Sequence, residues 1–283
     1  MVKPERALRV VRRGKGEKAN KKRMATVAAV HSQTPVVRTP QEVLDSLFQT
    51  ERPGPRGQPR QRPKHKRVWA SLLSDKDTFI ADVKAEMTRR DPRRRRSWVI
   101  VTDGERALQR RVCESFSGVT LILDLLHVLE KLWKAAYTLH PEGSPEAQAF
   151  VHQRAKRILE GEVSQVVKGL RQIVTKRRLT GVKAKTLLDV AGYYHRNRER
   201  MRYDVYLANG WPIASGSVEG ACKNLIRDRF ERSGMRWTPE TAEALLRLRA
   251  VYLSGDLDTY WEFHVQQDQQ RLYAKDSWQV VLK

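Results

Sequence analysis

Three acids stand where a carboxylate could hold a cation: Asp103 in "WVIVTDGE", Asp124 in "VTLILDLLH" and Glu219 in "SGSVEGACKNLIRDR". Asp103 closes an apolar run and precedes Gly104, so its side chain can leave the end of a strand and hold a hard cation while the backbone turns away. Capping the helix that follows is the plainer role for the same residue. Asp124 closes the next apolar run in the same way, which predicts two neighbouring strands delivering acids to one edge of a sheet. His127, three residues on, could orient Asp124 or fix a substrate, or it could be a buried histidine satisfied by a backbone carbonyl.

Glu219 opens a helix capped by Ser215 or Ser217, whose apolar positions Val218, Cys222, Leu225 and Ile226 define one face. At about 100° per residue Glu219 falls at the border of that face and is expected to look into a cleft beside the core. The alternative is a first-turn acid paired with Lys223 at i+4, worth a few tenths of a kcal/mol. Lys223, Arg227, Arg229 and Arg232 continue the helix, and Arg236 and Trp237 follow a turn at Gly234. Cations beside an indole suit phosphate contact and base stacking. A solvated basic face with Trp237 in the core reads equally well.

The rest of the chain sets the setting for these groups. Its 283 residues carry 55 Lys and Arg against 32 Asp and Glu, a net charge of +23. That surplus exceeds what solubility needs and draws a polyanion through counterion release, which favours nucleic acid over an anionic membrane surface. Residues 1–67 hold 18 Lys and Arg against 5 Asp and Glu, so 13 of the surplus charges lie there. Cys113 and Cys222 lack metal-ligand spacing and each falls in an apolar helical register, the pattern of reduced core thiols in a cytoplasmic protein. No apolar run approaches the ~20 residues of a membrane span.

Periodicity places the elements. A strand is expected over "MATVAAV", a helix over "PQEVLDSLF", and a solvated basic loop over "ERPGPRGQPRQRPKHKR", where Pro, Gly and Arg argue against packing. A helix from about Asp75 to Arg89, the strand "SWVIVTD", a helix from Glu105 to Phe116, the strand "VTLILD" and the helix "LLHVLEKLWKAAYTL" follow. Strands alternating with helices predict an α/β fold with helical crossovers. Strand signals then stop, and three amphipathic stretches up to about Tyr206 read as an all-helical insertion. Two more helices close the chain, the first with Thr238 as N-cap and Pro239 in its first turn. The expected divisions are a basic, partly disordered segment at 1–67 with one core strand, a sheet-bearing part at 68–140, the insertion at 141–206, a helical region of the core at 207–255 and a C-terminal helix at 256–283.

From about Ser97 to Arg271, through "WVIVTDGE", "LDLLHVLEKLWKAAYTLHPEG", "LANGWPIASGSVEGACKNLIRDR", "SGMRW", "LLRLRA" and "GDLDTYWEFH", the chain resembles bacterial insertion-sequence transposases of the ISKra group. The resemblance implies an RNase H-like mixed sheet with flanking helices, interrupted by the helical insertion. It also implies DNA cleavage and strand transfer by a two-metal mechanism with Mg²⁺ or Mn²⁺. Asp103 and Glu219 match the family's second and last acids and its metal ligands. Asp124 and His127 match the Asp-x-x-His element of related Mutator-like transposases. The implied partner is duplex DNA, at element ends and target, met by Lys223, Arg227, Arg229, Arg236 and Trp237. A homo-oligomer on DNA and a place at the bacterial nucleoid go with it.

One departure stands out. The family's first acid belongs on a strand before "MATVAAV", yet residues 1–44 contain no Asp, and Glu5 and Glu17 follow no apolar strand. The expectation is an N-terminally truncated transposase with impaired turnover. A catalytically inactive, transposase-derived DNA-binding remnant is the alternative, and an RNA-binding protein is a third reading favoured only by the basic N-terminus.

Overall fold

The computed structural model describes residues 23–48, 63–232 and 237–273, in which helices dominate a mixed α/β chain. The order is β1 (Thr26–Ser32), α1 (Pro40–Phe48), β2 (Lys64–Ser71), α2 (Lys76–Arg90), β3 (Val99–Thr102), α3 (Arg106–Ser115), β4 (Thr120–Leu123) and α4 (Leu125–Leu139). Then come α5 (Pro145–Leu159), α6 (Val163–Lys176), α7 (Gly181–Asn197), a 3₁₀ turn (Arg198–Arg200), α8 (Tyr203–Ala208) and α9 (Gly216–Ala221). A π-helical turn (Cys222–Arg227), α10 (Asp228–Phe230), α11 (Pro239–Ser254) and α12 (Leu257–Tyr273) complete it. The chain forms two compact units, one of Met1–Ser32, Pro63–Val83 and Ser217–Lys283, the other of Gln33–Arg62 and Lys84–Gly216.

In the first unit β1 and β2 pair antiparallel, Thr26 opposite Ser71 and Val30 opposite Arg67, with a slip in register between Val30 and Ser32. The basic loop expected through Arg67 is therefore corrected over its last four residues, which begin β2. Lys64, His65 and Lys66 are exposed while Val68 and Ala70 are buried, so the strand's first half shows no apolar alternation and is held by its backbone ladder. Helix α11 covers this pair. Ala242, Leu246 and Ala250 cluster with Val68, Ala70, Leu225, Ile226 and Phe230. Glu243, also buried, accepts from the Ser71 hydroxyl at 2.9 Å and the Leu72 N–H at 2.8 Å, which compensates the loss of water around its charge. The Thr238 side chain caps α11, and Gly255, at φ 78°, ends it.

In the second unit β3 and β4 pair parallel, Val99 opposite Thr120 through Thr102 opposite Leu123, with α3 in the crossover. Parallel pairing requires such a crossover, which a tight turn cannot supply. Trp98 and Phe116 flank the pair edge to face, and the Trp98 Nε1–H donates to Asp91 at 3.0 Å. Helix α4 buries Val128, Leu132, Ala135 and Ala136, the i, i+4, i+7, i+8 stripe of an amphipathic helix, within a core shared with α5, α6 and α7. Cys113 is exposed, correcting the core position expected for it; α3 buries Gln109 and Val112, and Cys113 lies past that edge. Among the described residues no helix is long and apolar enough to cross a membrane.

Candidate functional site

The parallel pair brings two of the predicted acids to one end of a sheet. Thr102 and Leu123, last in β3 and β4, are register partners, so Asp103 and Asp124 leave neighbouring strands at the same edge. Their surroundings differ.

Asp103 is exposed, and its Oδ1 accepts the Glu105 N–H at 3.0 Å, a local turn that orients the carboxylate. Gly104 sits at φ 89°, a left-handed conformation that a residue with a Cβ resists. Space closes the position too: an added Cβ would strike the Tyr193 hydroxyl and come within 2.8 Å of Leu123 Cδ1. Tyr193, from α7, donates its hydroxyl to the Asp103 carbonyl at 3.1 Å and so ties the helical insertion to the acid's turn. Burial, and then the negative fields of Asp103, Asp124 and Glu130, push the Tyr193 phenol up to about 12, so it remains a proton donor at neutral pH. Sequence reading passed over Tyr193, which is one aromatic in "AGYYHRNRER" and has no motif of its own. Gly104→Ala is expected to destabilise the protein by about 2 kcal/mol through backbone strain and the collision. Urea unfolding of the intact chain checks it, and Tyr193→Phe in the same chain should restore part of the loss.

Asp124 is fully buried. Its Oδ1 caps α4 by accepting the Leu126 N–H at 2.9 Å, and its Oδ2 receives His127 Nδ1 at 3.3 Å and the Ser215 hydroxyl. The loop carrying Ser215 is held against the same helix start, where the Leu125 N–H donates to the Ile213 carbonyl at 2.9 Å. Below, the fully buried Tyr203 and Tyr194 donate to the carbonyls of Leu123 and Val128, each at 2.7 Å, and fix the end of β4 and the first turn of α4. Burial alone would raise the Asp124 carboxyl, but the bonds from His127, Ser215 and Leu126 outweigh it and hold the group below its usual range. The bond to Asp124 raises His127, against a smaller lowering by burial, and Asp103 and Glu130 add to the rise. His127 is therefore not satisfied by a backbone carbonyl but by the acid one turn before it. The group is not a hydrolytic triad, because the carboxylate stands between hydroxyl and imidazole, and a serine nucleophile needs the imidazole in the middle.

Opposite shifts make this pair a pH-dependent tie. The raised His127 contributes stability fully below its ordinary 6.5 and loses it as pH climbs through the raised value. The lowered Asp124 contributes above its ordinary 3.8 and loses it as pH falls through the lowered value. The thermal midpoint should thus carry a gain between roughly pH 4 and 6.5 that His127→Gln removes. Equal pH profiles for the two proteins would contradict the tie.

Glu219 belongs to the other compact unit, in α9, and is exposed. The continuous α-helix expected through Arg232 is corrected: α9 ends at Ala221 and a π-helical turn takes over. The wider turn shifts the phase of the face, so Ala221, Leu225 and Ile226 are buried while Cys222 is half-buried. Arg249 of α11 donates Nε–H to the Leu225 carbonyl at 3.2 Å and another N–H to the Asn224 carbonyl, satisfying acceptors within that turn. Lys223, Arg227 and Arg229 are exposed. Trp237 is half-buried, edge to face with Phe230 at 5.4 Å and under the Arg229 guanidinium at 5.8 Å. Arg236, Glu5, Glu17 and the basic residues of 51–62 lie outside the described residues.

Among the described residues no group of three or more His, Cys, Asp or Glu side chains is placed to hold a metal ion. Asp124 explains part of this, since both its oxygens are committed to hydrogen bonds and neither meets solvent. Asp103 offers an exposed carboxylate, and one acid does not make a cage for a cation pair. No family model matches the chain, and no curated protein or solved structure matches it.

Proposed function

We propose that this chain is a DNA-processing protein of the transposase type, acting on phosphodiester bonds of duplex DNA. The observation that carries the reading is the parallel pair β3 and β4, which ends in Asp103 and Asp124 at a single edge of a +23 chain. The two acids divide the work. Asp103, exposed beside Gly104, faces the substrate, whereas Asp124 is a positioning residue that binds the start of α4, His127 and the Ser215 loop together. The finer fold reading is an RNase H-like core, supported by this parallel pair with its helical crossover; among the described residues the antiparallel pair β1 and β2 forms a two-stranded sheet of its own.

Mg²⁺ or Mn²⁺ is the cofactor this reading calls for, and the resemblance assigns it Asp103 and Glu219, each exposed, while Asp124 is committed to its own hydrogen bonds. Two acids predict slow turnover. Incubating the intact chain with supercoiled plasmid, with and without Mg²⁺ or Mn²⁺, tests the reading. Cation-dependent nicking supports it, and tight binding without nicking favours the second reading, a DNA-binding remnant. That second reading rests on the lack of a gathered ligand set among the described residues.

A further inference from the structure

We infer that the groove between α6 and α7 in the helical insertion is a docking track for the phosphate backbone of duplex DNA, separate from the strand-end acids. The inference rests on DNA being the partner and adds a second place of contact.

The groove is open and is lined by Lys168, Arg171, Gln172, Thr175 and Lys176 from α6 and by His195 from α7. Helix α6 explains the arrangement. Val163, Val166, Val167 and Leu170 are buried on one side, which leaves Lys168, Arg171, Thr175 and Lys176 along the other at helical spacing. All six lining residues named are exposed. From Val163 to Leu188 the sequence has seven Lys and Arg and no Asp or Glu, so no acid of α6, or of its connection to α7, neutralises the stripe. By contrast, Lys156 and Arg157 near the end of the neighbouring α5 face Glu160 and Glu162. The lining residues are the chemical types that contact DNA phosphates: cations for charge, with hydroxyl and amide groups for hydrogen bonds. At 1.5 Å per residue the cations from Lys168 to Lys176 cover about 12 Å, the length of some three or four base pairs along one strand. A small anionic metabolite would want an enclosed site with convergent donors, whereas an open linear stripe fits a linear polyanion.

The test is the salt dependence of binding to a duplex of random sequence, for the intact chain and the triple variant Lys168→Ala, Arg171→Ala, Lys176→Ala. Each lost phosphate contact should lower the slope of log K against log salt by about 0.9, so the triple variant should fall by about 2.7. A control variant, Lys84→Ala, Arg93→Ala, Lys134→Ala, removes the same charge elsewhere in the same unit and should lose clearly less. The substituted residues are exposed, and unfolding curves overlaying the parent's will confirm that both variants fold. Equal slopes for parent and triple variant, or equal losses for triple variant and control, overturn the groove while leaving DNA as the partner. Failure of the parent to bind duplex DNA, or its preference for duplex RNA, overturns the groove and the proposed function together.

Discussion

Asp124→Ala is expected to destabilise the protein by about 3 kcal/mol. The carboxylate is fully buried, and alanine leaves the Leu126 N–H, the Ser215 hydroxyl and the His127 ring without their acceptor. Stranding buried donors costs about 1–3 kcal/mol for a neutral group and more for a charged one. The Leu126 N–H among them is the α4 cap and accounts for about 1 kcal/mol of the total, and partial exposure of His127 lets water recover some of it. Asp124→Asn keeps the shape and an acceptor oxygen, so it should cost less. Urea unfolding near pH 5.5, where the pair is charged on both sides, measures both variants. A loss under about 1 kcal/mol for alanine would remove Asp124 from its positioning role.

Duplex DNA affinity should fall about 10³-fold or more between 50 and 200 mM salt. With a net charge of +23, the chain can meet six or more phosphates, and each contact releases condensed counterions whose return opposes binding as salt rises. Base-reading contacts would not produce this slope, because they displace no counterions. Fluorescence anisotropy with a labelled duplex across that range reads it directly. Affinity that changes less than about tenfold would show that the charge surplus does not serve DNA.

How far the sequence foretold these features depended on whether local pattern or distant packing decided them. The strand ends at Asp103 and Asp124 were legible because apolar runs followed by an acid and a turn are local signals, and β3 and β4 fall inside "SWVIVTD" and "VTLILD". Helices α4 to α7 were legible from their apolar stripes. Strand β2 was hidden by the charges at its start, since its pairing with β1 runs through backbone atoms that carry no sequence signature. The π-helical turn after Glu219 depends on Arg249, 24 residues beyond Leu225. Ser215 is 91 residues from Asp124, and Tyr193 is 90 from Asp103. No spacing rule joins such residues, so the groups that hold the two acids emerged only with the fold.

The roles of the three acids separate when nicking of duplex DNA is compared for the intact chain, Asp103→Asn, Glu219→Gln and Asp124→Asn in Mg²⁺ and in Mn²⁺, with DNA binding and unfolding measured on the same preparations. The parent should nick slowly and only with the cation. Asp103→Asn and Glu219→Gln should each lose about a thousandfold, the scale of several kcal/mol at the transition state, with stability and DNA affinity kept. Asp124→Asn should lose stability together with activity. Nicking that survives both Asp103→Asn and Glu219→Gln, or DNA bound tightly with no nicking in either cation, would overturn the assignment of these acids to cation-assisted cleavage.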